Sequence, residues 1–348
     1  ALFVSFFPQL IAGPIVKFPI FIDQIKKINQ NIFNKDYYST GLIIFIFGLF
    51  KKIVIADYLS RYVQFFYDAI PYGYEPTVPT AWISTIAYSL QIYFDFSAYS
   101  EMAIGLGLLF GFRLPVNFDS PFKSKSLIEY WNRWNITLSN FFGDYLYTPI
   151  FLNLSKRTSI SFKNHIFAIF LSMTILGFWH GANWNCVLFG VMHGLGLALN
   201  HIFKKRQIAP FTPLIIRKIA LLVFVNTSFI FFKSKDFLVA KSVIYHLLPL
   251  DKLFDFSSWD ILGDIITQNL VGVCLVFILL VIVLIMPSSL AITGYLNYEK
   301  NYLPILSPFK KFNMNNFFTI ISTSFLAFLF LICVQFLYTE QAFVYFQF

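Results

Sequence analysis

The sequence predicts an all-α polytopic membrane protein, and its composition, the placement of its charge and its long apolar runs carry that prediction. Of 348 residues 57% are hydrophobic and only 12% charged, with a mean hydropathy of +0.68, well outside the make-up of soluble domains. The formal net charge of +9 is gathered between apolar runs, as at Lys204-Lys205-Arg206 and Lys310-Lys311, the pattern of loops held on the cytoplasmic side. Nucleic-acid binding is the weaker reading of that charge. Cys186, Cys274 and Cys333 are isolated within apolar segments and suggest neither a disulfide framework nor a metal site. The chain reads as one membrane domain over residues 1–348. It opens at Ala1 inside an apolar stretch with neither methionine nor a basic leader, so natural N-terminal segments are expected upstream.

Taken in order, Leu2 to Val16 is interrupted at Phe7-Pro8-Gln9 and Ala12-Gly13-Pro14 and falls short of the roughly 20 residues that span a bilayer; a broken or re-entrant segment is expected. Lys17 to Asp36 reads as a loop or surface helix. Gly41 to Asp57 is apolar except for Lys51-Lys52, which should snorkel to an interface or face protein. Pro71 to Pro79 is a loop. Thr80 to Phe112 has the length of one tilted span or two short ones, and within it Asp95 and Tyr99 are four apart on one helix face, so the phenol could reach the carboxylate. That pair serves either helix packing or the polar lining of a cavity.

Ser120 to Thr148 is expected to form one amphipathic helix lying in the interface or dipping into the protein. Ser126-Leu127-Ile128-Glu129 has the form of a capping box. Leu127, Trp131, Trp134, Leu138, Phe141 and Tyr145 mark an apolar side, against Asn132, Arg133, Asn135 and Ser139. Glu129 stands four residues before Arg133, the favourable order for an ion pair. The polar stripe either faces the membrane surface or joins a site.

The centre of the reading is Gly177-Phe178-Trp179-His180-Gly181-Ala182-Asn183-Trp184, which sets a histidine among glycines and tryptophans where the run His165 to Phe178 meets Cys186 to Leu199. An ionisable ring within a membrane is a functional candidate because burying it is costly. His193 either supports His180 or packs, and His201 is expected at the interface beside the basic loop Lys204 to Lys218. No pair among these histidines has the short spacing of a helical zinc site, so no metal is expected. Ile219 to Phe232, Leu270 to Met286 and Phe317 to Tyr338 complete the spans. Basic loops placed inside would leave residues 233–268 and the C-terminus outside.

An imidazole can take a proton from a hydroxyl as a carbonyl is attacked and return it to a leaving thiolate. Asn135 could donate to an oxyanion or hold the imidazole in one tautomer, with tryptophans excluding water. Spacing alone does not bring Asn135 and His180 together.

The series Phe7-Pro8-Gln9-Leu10-Ile11-Ala12-Gly13-Pro14-Ile15, Gln91-Ile92-Tyr93-Phe94-Asp95-Phe96-Ser97-Ala98-Tyr99-Ser100, Tyr130-Trp131-Asn132-Arg133-Trp134-Asn135-Ile136-Thr137-Leu138-Ser139, Phe178-Trp179-His180-Gly181-Ala182 and Tyr345-Phe346-Gln347-Phe348 resembles the membrane-bound O-acyltransferase (MBOAT) family, in the branch of the alginate O-acetyltransferase membrane subunit, with a teichoic acid D-alanyl transfer branch nearby. The resemblance implies a multi-helix bundle with a central cavity, in the plasma membrane of a bacterium. It matches His180 to the family's catalytic histidine and implies passage of an acyl group from a cytoplasmic thioester, acetyl-CoA or an acyl carrier, to an exported polysaccharide or peptidoglycan through a periplasmic acyltransferase partner, with no tightly bound cofactor. Asn135 stands where bacterial relatives usually have a second histidine, Gly143 where they have arginine, and Phe151-Leu152 where they have Gly-Gly. Asp95, Tyr99, Trp131, Arg133, Trp134, Ser139, Trp179 and His193 are the expected lining residues. A competing reading is a proton-coupled transporter using Asp95, Glu101 and His180.

Overall fold

A computed structural model describes residues 2–10, 12–26, 35–208, 212–247, 270–296 and 316–337. Among these the regular structure is entirely helical. The motif Tyr345 to Phe348, the pair Lys310-Lys311 and most of the 233–268 segment lie outside them.

The segment Thr80 to Phe112 resolves into one helix. α5 (Val78–Leu109) runs for 32 residues, about 48 Å at 1.5 Å per residue. Thr77 caps its start by accepting from the Thr80 amide, and Pro79 sits in the first turn, where its missing N–H costs nothing. Every residue from Ala87 to Ala98 is buried. A helix buried on every side with no single apolar stripe belongs inside a bundle, and α5 is the post against which the neighbours stand: α3 (Lys35–Phe50), α4 (Asp57–Ala69), α11 (Leu214–Lys233), α12 (Phe237–Leu247) and α13 (Leu270–Ile285) all contact it.

The N-terminal stretch is broken, as its prolines require: α1 (Leu2–Ser5) gives way to a 3-10 turn at Phe7–Gln9, and α2 (Phe18–Lys26) follows. Between α3 and α4, Lys51–Ala56 widens into a π-helix. Neither lysine there snorkels. Lys51 bonds Glu101 at 2.6 Å and Lys52 bonds Asp57 at 2.7 Å and Asp95 at 3.0 Å, so the extra residue of the π turn aims two cations at the acids of α5.

α9 (Phe162–His180), α10 (Trp184–Lys205) and α11 are each long and apolar enough to cross a membrane. Their outward apolar residues, among them Phe167, Leu199 and Ile215, suit a lipid environment. α9 and α10 form a hairpin whose helices nearly touch. A Cβ on Gly177 would stand 2.4 Å from the Cys186 carbonyl oxygen, and one on Gly190 would stand 2.4 Å from that of Met173, so only glycine fits at either place. α14 (Ser289–Ile292) and α15 (Asn316–Phe336) close the described chain, both against α3.

The single amphipathic helix expected over Ser120 to Thr148 is corrected. It is divided into α6 (Leu127–Trp131), α7 (Ile136–Phe142), a π-helix at Gly143–Tyr147 and α8 (Thr148–Thr158). The break lies at Asn135, whose φ of 43° is left-handed. The preceding loop holds it open: Asp119 donates its amide to the Arg133 carbonyl (2.9 Å), the Ile136 amide donates to the Asn117 carbonyl (3.0 Å), and Asn117 Oδ1 accepts from both the amide (3.1 Å) and hydroxyl (2.8 Å) of Thr137. These bonds replace the helical ones a continuous segment would have made.

Candidate active site

His180 ends α9. Gly181 turns extended, and Asn183 accepts from the Cys186 amide at 2.8 Å to start α10, the usual side-chain satisfaction of a first-turn donor. The imidazole is half-buried. Its ring lies 5.2 Å from that of Phe232, 6.4 Å from Phe189 and 5.1 Å from Trp179. The expectation that the neighbouring tryptophans seal the site is corrected: Trp179 is 52% exposed and Trp184 80%. Indoles flanking the turn of an apolar hairpin have the position of an interfacial aromatic belt. Water exclusion falls instead to Phe189 and Phe232, both buried.

Asn135 is reached from His180 through rings. Phe232 packs on Phe229 at 6.4 Å, and Phe229 packs on Trp134 at 5.5 Å. Trp134 also stacks on Tyr130 at 5.5 Å. The histidine and the Asn135 turn therefore share one aromatic wall built on α11, which sequence reasoning did not single out; phenylalanine is too common in this chain, at 46 residues, for Phe229 and Phe232 to stand out. Asn135 is 5% exposed and precedes α7, yet its side chain does not cap that helix. Asparagine tolerates the left-handed turn that most residues resist.

The remaining expected residues divide into several groups. Trp131 and His193 meet in the core, the indole Nε1–H donating to His193 Nδ1 at 3.1 Å, while Nε2 lies 2.9 Å from Ser228 Oγ. Indole nitrogen only donates, so His193 carries its proton on Nε2 and donates to Ser228, which donates in turn to the Val225 carbonyl at 2.7 Å. Both ring nitrogens are thus engaged in structure. Arg133 binds Glu129 at 2.9 Å, as its spacing predicts, and lies 3.6 Å from Asp119; it clamps the loop. The Ser139 hydroxyl donates to the Trp134 carbonyl at 3.4 Å. Trp179 packs on Phe142 at 5.8 Å. The polar stripe is not continuous, because the turn at Asn135 sends Asn132 outward while Asn135 goes in.

Asp95 and Glu101 serve packing. Their partners are Lys52 and Lys51, and Glu101 also accepts from Ser289 at 2.6 Å. The acids a transporter relay would use are therefore held in ion pairs with the π-helix. Tyr99 reaches the Ala12 backbone. His201 meets His165 at 3.2 Å, and the other nitrogen of His165 lies 2.7 Å from Tyr147 Oη. This cluster closes the end of the hairpin remote from His180. Beyond the membrane helices, the Asp144 carboxylate hydrogen-bonded to Lys17 holds that ammonium above its usual pKa, joining the π-helix after α7 to the N-terminal segment. No group of three or more His, Cys, Asp or Glu among the described residues is placed to hold a metal ion.

The fold and site define a helical membrane protein with a lone histidine ending one arm of a hairpin against an aromatic wall. Residues 1–240 match the membrane-bound O-acyltransferase (MBOAT) family, and the chain belongs to that family. It is 40% identical over 253 residues to the peptidoglycan O-acetyltransferase of Helicobacter pylori, covering 72% of this chain and 46% of the relative. It is 35% identical over 285 residues to the probable alginate O-acetylase AlgI of Azotobacter vinelandii, covering 82% and 53%. Similarity to the teichoic acid D-alanyltransferase of Streptococcus thermophilus is lower, 28% over 209 residues, covering 59% and 50%. The chain spans about half the length of the curated relatives it matches.

Proposed function

We propose that the protein is a bacterial plasma-membrane O-acyltransferase that passes an acyl group, acetyl by preference, from a cytoplasmic thioester toward an exported cell-envelope polysaccharide or peptidoglycan, with His180 as general base. The observation that carries the proposal is the setting of His180: a half-buried imidazole at a helix end, backed by Phe189 and Phe232, in a chain of the MBOAT family. In the reaction the hydroxyl oxygen of the acceptor attacks the thioester carbonyl while His180 takes its proton. The tetrahedral intermediate collapses, the C–S bond breaks, and the proton passes to the departing thiolate. The products are an ester and a free thiol. Asn135, three rings along the wall from His180, is assigned the second role in this proposal, an amide for the oxyanion. A periplasmic acyltransferase then moves the acyl group from this first ester to a hydroxyl of the polysaccharide or peptidoglycan, which restores the first acceptor's hydroxyl, and no bound cofactor is required.

Relatives named for O-acetyl transfer are more similar to this chain than those named for D-alanyl transfer, which favours acetyl as the group. The test is the ester-linked acyl content of envelope polysaccharide, released by alkali and identified by mass spectrometry, in cells carrying the full-length protein or its His180→Ala variant. Loss of acyl ester at equal protein level is expected, and the released acid, acetate or alanine, names the group. Unchanged ester in the variant would remove His180 from the chemistry.

A further inference from the structure

A cavity of about 760 Å³ opens between α6, α10 and α11, within the range of sites that hold organic ligands. Its inner wall is apolar, formed by Leu127, Leu221 and Phe224, and it ends where Gly196 lets α10 approach its neighbours: a Cβ there would meet Leu127 Cδ2 at 2.7 Å and Phe224 Cζ at 2.9 Å. Its rim is cationic, with Lys125, Lys204 and Arg217. The carboxylate in the lining, Glu129, is occupied by Arg133 at 2.9 Å and by the Lys125 amide at 2.9 Å, so the rim keeps a net positive charge. The opening lies beside the outward apolar flank of α10 and α11, where Leu199 is 51% and Ile216 53% exposed. The cavity does not lead to His180. Phe224 packs on His193 at 5.3 Å, His193 on Phe189 at 4.4 Å, and Phe189 on His180 at 6.4 Å, so two rings stand between them.

We infer that this cavity binds an anionic membrane phospholipid, with an acyl chain against Leu127 and Phe224 and the phosphate between Lys125, Lys204 and Arg217. An apolar slot reached from the lipid-facing flank fits a chain already dissolved in the bilayer, and three cations at the rim select a headgroup that keeps its negative charge. Because the slot is walled off from His180, the lipid is a bound companion and not the reacting donor.

The test is native mass spectrometry of the full-length protein reconstituted in nanodiscs of phosphatidylcholine alone or mixed with phosphatidylglycerol. The wild type retains phosphatidylglycerol in preference to phosphatidylcholine. Removing two rim charges in the K204Q/R217Q variant lowers that retention roughly tenfold or more. Ala220→Trp, which keeps the charges and fills the opening from an exposed lining position, lowers retention of both lipids. Equal retention of the two lipids by the wild type, or undiminished phosphatidylglycerol in K204Q/R217Q and in Ala220→Trp, overturns the inference. Release of the lipid by millimolar inorganic phosphate or acetyl-CoA also overturns it, because either result puts a soluble phosphate ligand in the slot.

Discussion

The indole of Trp131 donates to Nδ1 of His193 across 3.1 Å, tying α6 to α10 through residues 62 apart in the chain. The bond settles His193's tautomer and, with Ser228 on the other nitrogen, leaves the ring no free nitrogen for proton transfer. His193→Phe keeps the ring contacts but strands the Trp131 N–H, a loss of about 1–3 kcal/mol for a buried donor. Thermal unfolding in detergent should show the drop. His193→Gln, which can still accept from the indole, should recover part of it. If His193→Phe unfolds at the wild-type temperature, the bond contributes nothing to stability.

Asn135 separates a backbone requirement from a chemical one. Its φ of 43° costs a residue with a Cβ about 1–2 kcal/mol, less for asparagine and least for glycine. Asn135→Gly should therefore fold as well as the wild type and still lose acyl transfer, whereas Asn135→Ala should lose both stability and transfer. Acyl ester measured beside folded yield distinguishes the two. Full activity in the glycine variant would show that the amide has no part in the reaction.

The hairpin that carries His180 depends on the contact of Gly177 with Gly190. Gly177→Val places methyl groups where the Cys186 carbonyl stands, and overpacking of this kind costs about 1–3 kcal/mol or more. The expected result is a sharp fall in monodisperse protein on gel filtration, with the residual protein inactive because Trp179 and His180 are displaced. Wild-type yield and activity would mean that the two helices can separate freely.

Lys52 sets one cation between the carboxylates of Asp57 and Asp95 inside the bundle. Lys52→Met strands two carboxylates, and breaking a buried pair in this way costs about 3–5 kcal/mol. Adding Asp57→Asn and Asp95→Asn should return most of the stability, since the charges then leave together. A proton relay makes the opposite prediction for transport: the triple variant would abolish any flux driven by a pH gradient in proteoliposomes, while a structural cluster shows no such flux in either protein.

Much of this protein is legible along the chain. Composition and apolar runs place it in a membrane, prolines break the first segment, the four-residue spacing of Glu129 and Arg133 makes their ion pair, and the glycine-flanked histidine marks the turn of a hairpin. Each follows from local geometry, which a helix of known rise and period dictates from sequence spacing. The tertiary structure decided what meets what: Lys52 with Asp95, Trp131 with His193, Phe232 with His180, and the division of the 120–148 segment at Asn135. Helices such as α5 and α9 carry no single apolar stripe that marks the face that turns inward, and many rotations would bury similar apolar area. The choice among them rests on a few contacts between distant residues, the Gly177–Gly190 approach and the buried lysines above all, whose partners exist only once the helices have docked.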